Sequence, residues 1–229
     1  MPPLSLQRKP ALNYHYEEGR AWLENSAVGV NTTALSYAAF EFRLAIERIG
    51  LQYWNALKPD GLEVNDLREA RSFKRIENRI YQLAGHQKEI DMRFEFGRII
   101  LALLKIDLPL VTPNLRQLSR FWHECSEVCH VAWSLTSLNR EFAKKSYEAL
   151  EAICEFLKEQ VNGLLTWGTV VDLPFRDLEA KFVAGQATAE DVRRHLEERG
   201  VWARIEYNDG RPSAFIGEAI PPRTKIEGS

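Results

Sequence analysis

Apolar residues recur at intervals of three and four along the chain up to about residue 165, which is the spacing of amphipathic helices. The most strongly patterned stretch follows the capping residues Asn31, Thr32 and Thr33, runs to about Leu57 and stops before Pro59. It also carries a second apolar side, made of Tyr37, Phe40, Leu44 and Leu51. Apolar residues on two sides predict a helix at the centre of a bundle.

Four further helices are predicted before residue 165. They cover residues 63–83, residues 86–105, residues 114–133, and a run that starts at 137 or 139 and ends near 163. The link between the first two is short, Ala84-Gly85, which predicts antiparallel neighbours. We therefore expect residues 14–165 to form an up-and-down antiparallel bundle of five helices, in a fold that is mainly α.

The pattern changes after Trp167. Residues 188–199 predict a short helix with a capping box, and the runs 201–207 and 213–216 flank an Asn-Asp-Gly turn, as in a β-hairpin. Residues 166–229 are thus predicted to be a small α+β appendage with a mobile tail. It is too small to stand alone, so it should pack on the bundle or on a partner. The hairpin could add a strand to a protein partner.

Charge and composition limit the classes of function. The 229 residues hold 30 Lys and Arg against 32 Asp and Glu, and 45% are apolar, which excludes a polycationic nucleic-acid coat and low-complexity disorder. No stretch has the apolar core of a signal peptide or the length of a membrane span. Three cysteines, an odd number, argue against a disulfide framework. We expect a cytoplasmic protein with no membrane attachment.

One predicted helix carries arginines at every third or fourth position: Arg68, Arg71, Arg75 and Arg79. Guanidinium groups at this spacing suit phosphate oxygens, so Arg68, Arg71 and Arg75 are candidate phosphate-binding residues. Interleaved carboxylates such as Asp66 and Glu77 could instead pair with them and neutralise the surface, which is the commoner outcome. Both interpretations stay open at this point.

The central helix contains charges among its apolar residues. Arg43 and Glu47 are one turn apart, while Glu41 and Arg48 lie on a different face. Charges on a surrounded helix must be paired, because an unpaired buried charge is very costly. We therefore predict a supporting polar network of Glu41, Arg43 and Glu47.

Residues 120–130, RFWHECSEVCH, contain histidine, glutamate and cysteine side chains that could bind a metal ion. On a helix His123, Glu127 and His130 share one face, and Cys125 and Cys129 share another. The stretch falls one residue short of the zinc-protease pattern, and a zinc site would need ligands from elsewhere. In the alternative, the cysteines and neighbouring tryptophans belong to the core and His123 faces water. We expect no metal and, since nucleotide-binding glycine motifs are missing, no cofactor.

The stretch ALSYAAFEFRLAIER at residues 34–48 resembles the Glu-x-Arg-x-Ala-Ile-Glu helix of prokaryotic HEPN-like proteins. Residues 120–130 resemble the aromatic–Ser–x–x–x–His helix of related bacterial proteins, so the resemblance covers roughly residues 30–135. It implies a helical bundle that works in a toxin–antitoxin or antiphage defence setting as a homodimer.

Active members of that family are metal-independent ribonucleases with an Arg-x4-6-His motif. The resemblance implies that the arginine stabilises the scissile phosphate and that the histidine acts as acid or base. Arg79 with His86 is the first choice, because it lies at a helix junction, and Arg116 with His123 is the second. Only the second pair has a polar residue, Gln117, directly after the arginine, as active members do.

Two functions are therefore predicted. The first is RNA binding or metal-independent RNA cleavage, with paired subunits that bring two Arg/His sets into one cleft. The second is a non-catalytic interaction or regulatory protein of the same fold, which would bind another protein through the C-terminal hairpin.

Overall fold

The computed structural model describes residues 12–58, 61–107, 109–130, 133, 139–163 and 173–199, and two short strands beyond them. These residues form the helices α1 (Leu12–Asn25), α2 (Thr32–Leu57), α3 (Val64–Glu69), α4 (Phe73–Ala84), α5 (Gln87–Leu103), α6 (Leu115–Cys129), α7 (Arg140–Asn162), α8 (Leu173–Val183) and α9 (Ala189–Arg199). Strands β1 (Arg204–Ile205) and β2 (Ala214–Phe215) pair antiparallel. The mainly α fold is confirmed. The turn and most of the predicted hairpin lie outside the described residues, so the hairpin stays a prediction.

Helix α2 occupies the centre of the bundle, where it packs against α1, α4, α6 and α7. It begins as predicted, because the Asn31 side chain accepts a hydrogen bond from the Ala34 N–H at 3.2 Å. It ends at Leu57, and Lys58 is already extended, as the residue before a proline should be. Its buried face supplies much of the core: Leu35, Ala38, Ala39, Phe42, Ala45, Ile46, Ile49, Tyr53 and Trp54.

The second apolar side of α2 is not covered, contrary to our expectation. Tyr37 and Phe40 are 51% and 48% exposed, and Leu44 and Leu51 are half-buried. Neighbouring helices flank α2 without closing over this stripe. The two-sided pattern therefore identified the central helix correctly but not its complete enclosure.

The helix predicted over residues 63–83 is two helices, α3 and α4, separated by residues 70–72. Ser72 is extended and occupies the position before α4, where the buried Phe73 begins the apolar stripe. Val64 lies half a turn out of phase with Phe73 on a continuous helix, so a straight rod could not direct both toward the core. The break leaves Val64 exposed and buries Phe73.

Several other boundaries differ from the prediction. Seven helices rather than five occupy the described part of residues 14–165, since α1 was missed and one helix is split. Helix α6 ends at Cys129 rather than near Trp133, because His130 is extended. Helix α5 packs mainly against α8 and α9 and less against α4, to which the short Ala84-Gly85 link joins it. Asn139 caps α7, one of the two predicted starts.

The C-terminal helices pack on the bundle. Phe182, Val192 and Leu196 belong to the same core as α2 and α5, and α8 was not predicted. A largely buried carboxylate, Glu179 of α8, forms an ion pair with Arg93 of α5 at 3.4 Å. Helix α9 begins with the predicted capping box between Thr188 and Asp191, while the domain division at residue 165 stays a prediction.

Helices α1 and α2 approach closely at Gly19. A Cβ atom at this position would lie 2.5 Å from the Phe42 ring, well inside van der Waals contact. The small residue therefore allows the aromatic ring to lie directly against the α1 backbone.

Gly19→Ala should lower the free energy of unfolding by about 1–3 kcal/mol, because the added methyl overpacks the contact with Phe42. The sign of the change in the free energy of unfolding separates overpacking from helix propensity, since alanine is normally favoured over glycine inside a helix by about 1 kcal/mol. Urea unfolding followed by circular dichroism measures the effect. Ala21→Gly, on the exposed side of α1, is the control for propensity alone. A Gly19→Ala protein more stable than wild type would contradict the close contact.

Candidate functional site

A cluster of polar side chains lies between α4 and α6 around Tyr81, which is half-buried. The Glu77 carboxylate is only 4% exposed and accepts a hydrogen bond from Lys74 Nζ at 2.9 Å. Burial raises the pKa of Tyr81, the Glu77 carboxylate raises it further, and the Arg116 guanidinium lowers it. Tyr81 therefore keeps its proton at neutral pH and lies near a buried carboxylate and an exposed guanidinium.

His86 also lies near Tyr81. It precedes α5 at the turn made by Gly85, whose φ of 86° favours glycine, and its ring centroid is 5.6 Å from that of Tyr81. Gln87 fixes this turn to the start of α6, since its Oε1 accepts from the Leu115 N–H at 3.1 Å. The beginnings of α5 and α6 are thereby held together, which brings His86 and Arg116 to the same tyrosine.

The structure thus recombines the two predicted Arg/His pairs. Arg79 donates to Gln82 at 2.9 Å, and His123 is exposed beside the Trp122 ring. Among the described residues, no hydrogen bond joins either arginine to the histidine of its own sequence motif. One member of each pair, His86 and Arg116, meets at Tyr81 instead. The catalytic roles of all four residues stay predictions.

The predicted arginine stripe does not lie on one helix. Arg68 is on α3, Arg71 is in the link, and Arg75 and Arg79 are on α4, on a different face from Tyr81. The break at residues 70–72 therefore divides the set.

Three arginines of the stripe are also less neutralised than the alternative interpretation required. Lys58 rather than an arginine donates to Asp66 and lowers the pKa of that carboxyl, to which Arg79 contributes less. Within the described part of the chain, no ion pair involves Arg68, Arg71 or Arg75, and all three are exposed. Their role in binding phosphate stays a prediction.

The predicted pairing of Arg43 with Glu47 is confirmed, and α6 completes it. Arg43 Nε donates to Glu47 Oε1 at 3.2 Å, and Trp122 Nε1 donates to the same oxygen at 2.7 Å. The Arg43 guanidinium also lies over the Trp122 ring, 4.4 Å from its centroid. This cluster fixes α6 on α2 through a charge, a hydrogen bond and a ring together.

Glu41 pairs with a residue that the sequence did not single out. Its Oε2 lies 2.7 Å from Nδ1 of His15 on α1, and the histidine is buried. The predicted network is therefore two separate pairs on two faces of α2, one toward α1 and one toward α6. His15 was missed because the partners are 26 positions apart and no local spacing connects them.

The stretch 120–130 does not assemble a metal site. Within the described residues, no group of three or more His, Cys, Asp or Glu side chains is placed to hold a metal ion. Cys125 is buried and Cys129 half-buried, and burial raises the pKa of both thiols. His123 and Glu127 are exposed on the outer side of α6, and His130 is exposed directly after the end of that helix. The core interpretation of the cysteines is the one that the structure shows.

Comparisons with known proteins do not extend this description. No protein-family model matches the chain, and no curated protein or solved structure does. None of the helices in the described part is long and apolar enough to cross a membrane. The functional argument therefore depends on the geometry of the residues themselves.

The thiol of Cys154 gives a test of the core at high pH. Burial, and to a smaller degree Glu155, raises the pKa of Cys154 from 9.0 to about 11. Between these values the unfolded chain loses a proton that the native protein keeps, so the free energy of unfolding should fall as the pH rises through this range. Cys154→Ala should show a smaller fall, measured as the difference between urea midpoints at pH 8 and near pH 11. Parallel curves for the two proteins would contradict the raised pKa.

Proposed function

We propose that this protein is a HEPN-like cytoplasmic helical bundle that binds and cleaves single-stranded RNA without a metal ion, at the cluster formed by Tyr81, His86 and Arg116. The observation that carries the proposal is that an exposed imidazole, that of His86, and an exposed guanidinium, that of Arg116, both lie near Tyr81. The two groups have the chemistry that phosphodiester cleavage requires. The setting in defence or toxin–antitoxin systems, and the homodimer, rest on the resemblance in residues 30–135.

Each side chain has a definite part in the proposed reaction. His86 accepts the proton of the ribose 2′-hydroxyl as the 2′-oxygen forms a bond to phosphorus. Arg116 donates hydrogen bonds to the phosphoryl oxygens as charge builds on them. The bond between phosphorus and the 5′-oxygen then breaks, and that oxygen takes a proton from solvent. The products are a 2′,3′-cyclic phosphate and a 5′-hydroxyl.

The surroundings of the cluster support binding of an RNA backbone. Arg116 and Arg120 lie one turn apart on the outer face of α6, and both are exposed. Glu124 partly neutralises Arg120 through an ion pair at 3.5 Å. A phosphate chain following α6 would therefore meet cationic side chains in a row that begins at the cluster. In this proposal α6, rather than the divided arginine stripe, holds the backbone.

Cleavage of an end-labelled single-stranded RNA in the presence of EDTA tests this proposal. His86→Ala and Arg116→Ala should each lower the rate by about a hundredfold or more, since a positioned acid–base or electrostatic group contributes that much. Arg79→Ala and His123→Ala, the other members of the sequence motifs, are matched controls and should keep most of the activity. Circular dichroism verifies that all four variants fold.

Three outcomes would contradict the proposed site. Loss of activity in Arg79→Ala and His86→Ala together, or in Arg116→Ala and His123→Ala together, would favour a pair predicted from the sequence. Equal activity in all four variants would remove both histidines from the chemistry. An inactive wild-type protein would leave the non-catalytic interaction protein as the function to pursue.

A further inference from the structure

Four large aromatic side chains lie exposed on the α1–α2 side of the molecule. Tyr14 and Trp22 of α1 are 52% and 36% exposed, and Tyr37 and Phe40 of α2 are 51% and 48% exposed. We call these four residues the aromatic face. Trp22 and Tyr37 contact each other, and exposed aromatic side chains in contact are typical of surfaces that bind another molecule.

Contacts between α1 and α2 define how the aromatic face is arranged. The Trp22 and Tyr37 rings meet with centroids 4.9 Å apart, and nearer the start of α1 His15 contacts Glu41. Glu18 is on the same side of α1 as Trp22, one turn earlier, and so lies between the levels of these two contacts. The carboxylates of Glu18 and Glu41 therefore lie on the same side of the molecule as the exposed rings.

Near the contact between Trp22 and Tyr37, the charge that is not already neutralised is negative. Arg20 pairs with Glu17 at 2.6 Å and with Glu24 at 3.3 Å, so α1 has no further arginine or lysine within its length for its third glutamate, Glu18. In the described part of the chain no ion pair reaches Glu18. A phosphate backbone or an anionic membrane would be repelled here, whereas a cationic side chain would be attracted.

The chain itself contains one contact between a cationic side chain, an aromatic ring and a carboxylate. Phe40 is one turn from Tyr37 and one turn from Arg43, so the aromatic face continues to the place where Arg43 lies over the Trp122 ring and pairs with Glu47. Guanidinium, indole and carboxylate are combined there. The rings of Trp22 and Tyr37, next to Glu18, offer the same combination without the cation.

We propose that the aromatic face binds a basic amphipathic helical segment of a partner protein. Its lysine or arginine side chains would lie over Trp22 and Tyr37 and pair with Glu18, and its apolar side chains would cover Phe40. This surface is separate from the Tyr81 cluster, so the inference does not depend on the proposed RNA cleavage.

Fluorescence anisotropy with two labelled synthetic peptides tests the inference. One is an amphipathic helix of leucine with lysine and arginine, and the other has glutamate at every basic position. The full-length protein should bind the basic peptide saturably and the acidic one at least about tenfold more weakly. Binding of the basic peptide should weaken with salt, because exposed charges are screened.

Variants locate the binding surface. Trp22→Ala and Tyr37→Ala should weaken binding of the basic peptide by about tenfold or more, as expected for central aromatic contacts. Glu18→Gln should weaken it by about two- to fivefold and flatten the dependence on salt. Leu83→Ala, at a side chain on α4 that is 47% exposed, is the matched control and should bind like wild type.

The outcomes divide clearly. Saturable binding that follows the order of these variants supports the inference. It is overturned if neither peptide binds saturably, if both bind equally, or if single-stranded RNA binds the aromatic face in place of the peptide. Should Trp22→Ala fail to fold, Tyr37→Ala and Glu18→Gln decide, because they change side chains that are not part of the core. RNA cleavage by Tyr37→Ala should match wild type.

Discussion

The contact between Gly19 and Phe42 determines how the rest of this side of the molecule is arranged. Since the Phe42 ring lies directly on the backbone of α1, the two helices are close enough for side chains on both flanks to meet. On one level His15 reaches Glu41, and on another Trp22 reaches Tyr37. A larger residue at position 19 would separate the helices, and both contacts would have to lengthen.

The opposite flank of α2 is held by a different kind of interaction. There the oxygen of Glu47 accepts from both Arg43 and Trp122, so α6 is attached through polar groups at the edge of an apolar seam. Partly exposed charge pairs contribute little by themselves, but a hydrogen bond from a specific indole N–H fixes the register of one helix on another. Helix α2 is thus positioned by close packing on one side and by directional bonding on the other.

The parts of the fold that were predicted correctly are those encoded by neighbouring residues. The Asn31, Asn114 and Asn139 caps act within their own first turn, and each begins a helix where expected. The end of α2 at Leu57 follows from the proline two positions later. The break between α3 and α4 was missed because the arginine spacing continues through it, while the phase of the apolar residues, Val64 against Phe73, does not.

The candidate site was predictable only in part, for a related reason. A linear motif couples Arg79 to His86 and Arg116 to His123, but which side chains meet depends on how α5 and α6 are joined. That joint is made by Gln87, whose amide bonds to the backbone at Pro113 and Leu115, and no local pattern reports it. Tyr81, on α4 between Arg79 and His86 in the sequence, could have been noticed as a polar-tipped aromatic residue beside the first motif.

The ion pair between Arg93 and Glu179 has a consequence for communication within the molecule. Arg93 Nε also donates to the carbonyl oxygen of Ala84, the last residue of α4, at 3.4 Å. One guanidinium therefore holds both the C-terminal helix α8 and the turn that carries His86. A shift of α8 would alter the ion pair of that guanidinium and with it the hydrogen bond to Ala84. The docking of the C-terminal helices and the geometry of the α4–α5 turn are therefore thermodynamically linked.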